Sequence, residues 1–400
     1  MYDVRRIQVN KIRFLSLILS IILGVSVLCF ADGAYYAPDE KLSVEAAMNS
    51  FPQISAESYA VMDARTGEVL FSQKADIPMP IASTTKMMTA LVVVEKVDDL
   101  DRVVSVDAAS CGVEGSSVNL YKGEKISVRD LLYALMLESA NDAAHCLALT
   151  VSGSVEEFAK LMNERAVEIG MKNTHFSNPH GLEDAEHYST SCDMALLWRE
   201  AMKNQTIRDI VATKTYKIPF GSDGEYRFLS NHNKLLKSYD ACIGGKTGFT
   251  KAAGRCLVSV CEKNGIEIIT VTLNAPSDWD DHRNIAEYAF SLYSKAKLAD
   301  AGKITLSVPV VGGKKSSVTL TNKDSLDVYV RDVARLETRI EAPRFLYAPV
   351  DNEEVSFARV VFYYNGQEIG YLDLYSLDEV GINTVKPGFF KRLWNFITGK

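Results

Sequence analysis

The chain has 400 residues, 47% hydrophobic and 24% charged, with a formal net charge of −7. That length calls for two folded domains plus appendages, and the composition excludes extensive disorder. The acidic balance gives no general footing for nucleic-acid binding.

Arg5, Arg6, Lys11 and Arg13 precede an uncharged apolar run from Phe14 to Phe30, and Ala31 offers a small residue before the polar Asp32-Gly33. Residues 1–31 therefore read as a cleaved export signal, with an uncleaved membrane anchor as the competing reading. Beyond a polar stretch to about Ser55, Ser58 to Asp63 is predicted as a strand, turned by Arg65-Thr66-Gly67-Glu68 into Val69-Leu70-Phe71. Pro78 and Pro80 stop regular structure before Ser83, and the Gly- and Pro-free run from Thr85 to Lys96 is predicted as a buried helix. Capping patterns at Ser127/Asp130 and Ser154/Glu157 open two more helices, over Leu131 to Leu137 and up to Gly170. From Lys214 the texture turns to strands at 214–218, 241–246, 256–261 and 266–273, and helical spacing returns from Asp281 to Lys297. Strands at both ends with helices between them describe an α/β domain on a mainly antiparallel sheet, over residues 32–301.

A boundary near Gly302 opens a run of short alternating segments, 304–311, 317–320, 326–330, 355–364 and 367–374, which reads as a small all-β domain at 302–385. In residues 386–400 the apolar Phe389, Phe390, Leu393, Trp394, Phe396 and Ile397 recur at helical intervals beside Lys386, Lys391, Arg392 and Lys400. That pattern predicts an amphipathic helix lying in a membrane surface; docking on its own protein is the alternative.

The cysteines beyond residue 31 (Cys111, Cys146, Cys192, Cys242, Cys256 and Cys261) have wide, irregular spacing and read as buried free thiols, although an exported chain permits disulfides. No His-Glu-x-x-His pattern occurs, so a zinc hydrolase is unsupported and no metal or other cofactor is expected.

Three segments carry chemistry when taken together: Ser83-Thr84-Thr85-Lys86, Ser139-Ala140-Asn141 and Lys246-Thr247-Gly248. Singly the first two are weak, since Ser-x-x-Lys recurs at Ser294 to Lys297 and Ser-x-Asn at Ser117 to Asn119, whereas Lys-Thr-Gly occurs once. A serine hydroxyl needs a base, and a side chain three residues on along a helix shares its face, so Lys86 can meet Ser83. Burial and a second cation, here Lys246, would lower the lysine pKa enough for that task. Taken alone, Ser83 could be a helix cap with Lys86 in solvent, and Ser139 and Asn141 could cap the next helix. Lys-Thr-Gly could be a surface strand end, though Gly244-Gly245 before it lets a substrate backbone approach.

In this order the motifs resemble the penicillin-binding D-alanyl-D-alanine carboxypeptidases, low-molecular-weight serine peptidases of the cell wall. Ile81 to Ala90, Phe176-Ser-Asn-Pro-His-Gly-Leu182 and Gly245-Lys-Thr-Gly-Phe-Thr250 carry the likeness, as do the β-rich C-terminal region and the amphipathic tail. The resemblance implies an α/β (α+β) penicillin-binding transpeptidase-like domain, with helices on both sides of its sheet and an inserted helical region. It implies Ser83 as acylated nucleophile, Lys86 as proton acceptor and Ser139 with Asn141 in the proton network. Lys246 and Thr247 would hold the terminal carboxylate beside Gly248, and the N–H groups of Ser83 and Phe249 would form the oxyanion hole. The implied partners are a peptidoglycan stem pentapeptide ending in D-Ala-D-Ala, β-lactam antibiotics and the outer face of the cytoplasmic membrane. The family's arginine ahead of the last helix has no counterpart in Asp278-Trp279-Asp280-Asp281, and Arg283 stays outside the predicted site. A serine β-lactamase shares the three motifs, but no Glu-x-x-Leu-Asn deacylation loop occurs. A non-catalytic β-lactam receptor or wall-binding protein is the reading from another class.

Overall fold

The computed structural model describes residues 51–220, 225–351 and 355–384. The export signal expected at 1–31 and the amphipathic helix expected at 386–400 lie outside the described residues. The predicted first strand is β1 (Ser58–Asp63), which turns into β2 (Val69–Gln73). Asp63 shapes that turn by accepting the N–H groups of Arg65 and Thr66 at 2.9 and 3.1 Å. With β3 (Cys242–Thr250), β4 (Gly254–Lys263) and β5 (Ile266–Leu273) they form a five-stranded sheet in the order β2-β1-β5-β4-β3, antiparallel throughout. β3 is therefore an edge strand.

Helices α1 (Lys86–Lys96), α2 (Val128–Leu137), α3 (Asn141–Ser152), α4 (Val155–Ile169), α5 (Ser191–Ala201) and α6 (Gln205–Ala212) are inserted between β2 and β3, and α7 (Asp278–Ser291) follows β5. The predicted caps form: Ser127 Oγ accepts from Asp130 N at 3.0 Å, and Ser154 Oγ accepts from Glu157 N at 3.1 Å. Gly170 closes α4 at φ +91°, a conformation that favours glycine. Successive strand residues face opposite sides. Met62, Val258, Val260, Ile269 and Val271 pack with α1 to α6, while Val61, Leu257, Cys261 and Ile268 pack with Ile285, Ala286 and Ala289 of α7. Because both faces are buried, the central strands read as apolar runs rather than clean alternations.

Helical spacing from Asp281 to Lys297 was the misleading signal. The helix begins earlier and ends at Ser291, and Ser294–Ala299 is β6, antiparallel to β9 (Leu326–Val330). The reason lies in period two: Ala296 and Leu298 are buried while Lys295 and Lys297, which alternate with them, are exposed. Those residues join the C-terminal core, so the two cores part near Leu292, ahead of Gly302. β7 (Thr305–Val311), β8 (Ser317–Asn322), β10 (Leu336–Glu341), β11 (Ala358–Tyr364) and β12 (Gln367–Ser376), with Leu346–Tyr347, make a six-stranded sheet. The residues 336–341, absent from the sequence reading, are its mostly exposed edge strand.

A polar seam joins this β domain to the turn after β1. Glu68 accepts from Arg331, from Arg335 at 3.4 Å and from Asn365 at 3.4 Å. Tyr293 donates its hydroxyl to Asp63 Oδ2 at 2.6 Å, and the Arg65 guanidinium lies 5.4 Å from the Tyr364 ring centre.

Candidate active site

Ser83 sits in a 3-10 turn, Ala82–Thr85, that leads into α1. Lys86 therefore projects from the first residue of the helix, and it is fully buried rather than solvated. Its Nζ lies 2.8 Å from Ser83 Oγ, 2.7 Å from Asn141 Oδ1 and 2.7 Å from the His180 carbonyl oxygen. Asn141 and His180 offer only acceptors at those atoms, whereas the serine hydroxyl can also donate. A neutral amine fits this set: two N–H groups donate to the two carbonyls, and its lone pair faces the serine hydroxyl. Burial, reinforced by the Lys246 cation, holds the Lys86 pKa well below the usual lysine value, with Asp142 opposing. Burial likewise pushes Lys246 down to about 7, with Glu138 opposing. Such an amine can take the serine proton at neutral pH.

Ser139 and Asn141 do not cap α3. Ala140 occupies the N-cap position without a side-chain bond, and Asp142 Oδ1 accepts the Ala143 N–H at 2.9 Å. Ser139 stands in the left-handed region at φ +59°, an uncommon conformation for a residue with a Cβ. The Asn141 amide is oriented by donation from Nδ2 to the Glu114 carbonyl at 2.5 Å. That loop is fixed in turn by the buried Asp142 carboxylate, which accepts Ser117 Oγ (2.6 Å), Val118 N (3.2 Å) and Leu120 N (2.9 Å). The second Ser-x-Asn match, at Ser117, is thus a structural support. The second Ser-x-x-Lys match lies in β6, where Lys297 pairs with Asp300 at 3.0 Å.

Lys246, Thr247, Gly248 and Phe249 lie near the end of β3. Lys246 is buried and donates to the Thr247 carbonyl at 3.0 Å, while Phe249 is 68% exposed. A Cβ added to Gly248 would lie 3.0 Å from Ser83 N and 3.1 Å from the Ile81 carbonyl oxygen, so the absent side chain brings the strand against the nucleophile turn. The structure thus gathers Ser83, Lys86 and Asn141 by direct contact and sets the β3 segment beside them.

Missing from the predicted residues is the role of the 176–182 landmark. The His180 carbonyl receives Lys86, and the Pro179 carbonyl receives Thr89 Oγ1 at 2.6 Å. Thr85 Oγ1 lies 2.8 Å from His187 Nε2, and burial lowers His187 to about 4 and His180 to about 3, so both imidazoles are neutral. Asn178 Oδ1 shapes the landmark by accepting the Gly181 N–H at 2.7 Å. The signal that could have found this was the Pro-His-Gly turn, because Gly181 adopts φ +87° and a Cβ there would meet the Ala82 carbonyl oxygen at 1.9 Å. A cleft of about 280 Å³ opens next to Ala82, between Gly181–Ala185 and the Thr250–Ala252 end of β3. Among the described residues, no three His, Cys, Asp or Glu side chains gather as metal ligands.

The two-faced antiparallel sheet, the inserted helices and a buried Ser-Lys pair define the penicillin-binding transpeptidase-like class of serine acyl-transfer enzymes. A family model described as D-alanyl-D-alanine carboxypeptidase matches residues 45–277, and one described as the penicillin-binding protein 5 C-terminal domain matches 293–381. The chain belongs to the D-alanyl-D-alanine carboxypeptidase family and is a serine hydrolase of that type. It is 31% identical over 376 residues to the D-alanyl-D-alanine carboxypeptidase DacF of Bacillus subtilis, covering 91% of each chain. It is 30% identical to DacC of Escherichia coli, covering 87% of this chain and 89% of that one. Among solved structures, penicillin binding protein 5 from Haemophilus influenzae matches with a TM-score of 0.58 at 28% identity, over 83% of this chain and 99% of the other.

Replacing Gly181 by alanine forces a Cβ into the Ala82 carbonyl and displaces the turn that carries Ser83. Because small misplacements of a reacting group cost about 10²-fold, penicillin acylation followed by intact mass is expected to slow by at least that factor. An unchanged acylation rate would show that the turn does not depend on this contact.

Proposed function

We propose that Ser83 attacks the carbonyl of the penultimate D-alanine of a peptidoglycan stem pentapeptide and releases the terminal D-alanine. Water then frees the trimmed peptide from the acyl-enzyme. The observation that carries this reading is the enclosed Lys86 amine 2.8 Å from Ser83 Oγ. Lys86 takes the hydroxyl proton, and Ser139 with Asn141 passes a proton towards the departing amine. The N–H groups of Ser83 and Phe249 receive the oxyanion. Lys246 and Thr247 hold the terminal carboxylate, and the substrate backbone lies along the open edge of β3. β-Lactams enter as substrate mimics that acylate Ser83. The mature chain works outside the cytoplasmic membrane after loss of residues 1–31, as a catalytic domain and a β-rich one that part near Leu292 rather than at the 301/302 boundary expected from the sequence. The 386–400 helix holds it peripherally on the outer membrane face; among the described residues no helix is long and apolar enough to cross a membrane.

The direct test is release of D-alanine from a pentapeptide ending in D-Ala-D-Ala, together with intact mass after penicillin. One covalent adduct is expected, absent in Ser83→Ala and slowed about 10²–10⁴-fold in Lys86→Ala. A full adduct on Ser83→Ala would reject the nucleophile.

Lys246 must be protonated to hold a carboxylate, and its value of about 7 places the loss of that cation in an accessible range. For carboxylate peptides kcat/KM should fall as pH rises through that range, while Lys246→Arg, which keeps its charge, should move the fall upward. On the acid side activity should fall as Lys86 gains a proton, because the protonated amine has no lone pair. An identical alkaline fall with the carboxamide peptide would refute carboxylate binding by Lys246.

For the tail, the full chain should float with anionic liposomes and a chain ending at Val385 should not. Salt should weaken flotation without abolishing it, since apolar burial supplies most of the affinity. Equal flotation of both chains would move the membrane contact elsewhere.

A further inference from the structure

Cys242 and Cys261 stand opposite each other on β3 and β4. Both side chains enter the core beneath α7, beside Leu257 and Ile268, with 7% and 1% exposure. The Glu262 N–H donates to the Ala241 carbonyl at 2.7 Å. The next pair in the ladder, Cys242 with Cys261, is then of the non-hydrogen-bonded kind, in which opposing Cα atoms approach to about 4.5 Å. A cystine needs Cα atoms roughly 4.4–6.8 Å apart, so this pair can close with little backbone movement. A register shift follows between Cys242 and Gly244, so the regular ladder is interrupted next to the pair. Cys256, the other cysteine of β4, faces the opposite core.

We propose that Cys242 and Cys261 are a site of covalent oxidation, joining as a cross-strand cystine when the chain meets a low-molecular-weight disulfide such as glutathione disulfide. Cys242 attacks first, being the more exposed of the two. The neighbouring Cys261 thiol also lowers its pKa, while that of Cys261 is raised. The Cys242 thiolate displaces one glutathione thiolate and forms a mixed disulfide. The Cys261 thiolate then attacks the Cys242 sulfur and expels the second. The two cysteine thiols lose two protons and two electrons, and one glutathione disulfide becomes two glutathiones.

The position gives the bond a consequence. Cys242 begins the strand that carries Lys246 and Thr247, and the bond closes the open end of the β3–β4 hairpin, opposite its Thr250–Gly254 turn. In the thiol form Cys242 donates to the Gly244 carbonyl at 3.5 Å and accepts from Asn233 Nδ2 at 3.6 Å. The cystine replaces that weak thiol donor with a covalent tie at the base of the strand.

The test brings the full chain to equilibrium in glutathione buffers of graded ratio, then blocks free thiols with iodoacetamide in denaturant and maps tryptic peptides. A parallel arm refolds the chain from denaturant in the same buffers, so that burial does not limit access. The expected result is one linked species joining peptide 238–246 to peptide 256–263, with Cys256 alkylated. It should be lost in Cys242→Ser and in Cys261→Ser but kept in Cys256→Ser. The melting temperature of the linked form should exceed that of its reduced form by about 5–10 °C, as for a short closed loop in a domain of this size, with no such difference in Cys242→Ser. Complete alkylation of both cysteines in both arms at the most oxidising ratio would overturn the proposal. So would a link at 256–263 that persists in Cys261→Ser.

Discussion

Enclosing the Lys86 amine constrains much else in the catalytic half of the molecule. An ammonium taken out of water without a carboxylate partner costs several kcal/mol, and the cheaper state is the neutral amine. Lys86 meets two carbonyl oxygens and a hydroxyl, with no carboxylate among its hydrogen-bond partners. Each of those atoms comes from a different stretch of chain, so three segments must be held to within tenths of an ångström. Asp142, Asn178 and the side-chain-free positions at Gly181 and Gly248 serve that end. The strained backbone at Ala82 (φ +47°) and Ser139 (φ +59°) is part of the same arrangement.

The elements that were plain in the sequence are those whose local pattern and tertiary setting agree. β1 matches its predicted bounds, and the Ser127 and Ser154 caps and Gly170 fix their helices, because each signal acts within a few residues. The site motifs were legible because chemistry demands residue types, not only hydrophobicity. The His180 carbonyl was not, since a backbone atom leaves no trace in residue identity. The Lys295–Leu298 stretch was misread because four residues satisfy a helix face and a strand face equally well. Its partner in β9 is some thirty residues away and decides the matter.

The sheet also buries polarity with care. His282 is fully buried on the α7 side, 2.6 Å from Ser259 Oγ and 2.9 Å from Thr272 Oγ1, and burial holds it neutral at a pKa of about 3. Both ring nitrogens face hydroxyls, which can donate to one and accept from the other. A single imidazole thus ties α7 to two strands at right angles to the ladder, without an ion pair.

The seam between the two cores is of another kind. Where each core is apolar and continuous, the junction sets Glu68 against Arg331, Arg335 and Asn365 as partly exposed polar partners, beside the buried Asp63–Tyr293 hydrogen bond. Surface ion pairs contribute little and are screened by salt, whereas apolar burial is not. Tyr329 of β9 adds an apolar contact there, packing against the core beneath α7. The junction therefore depends on particular donors and acceptors, so that the identity of a few side chains, and not the amount of oil between the halves, decides which surface of the β domain meets the turn after β1.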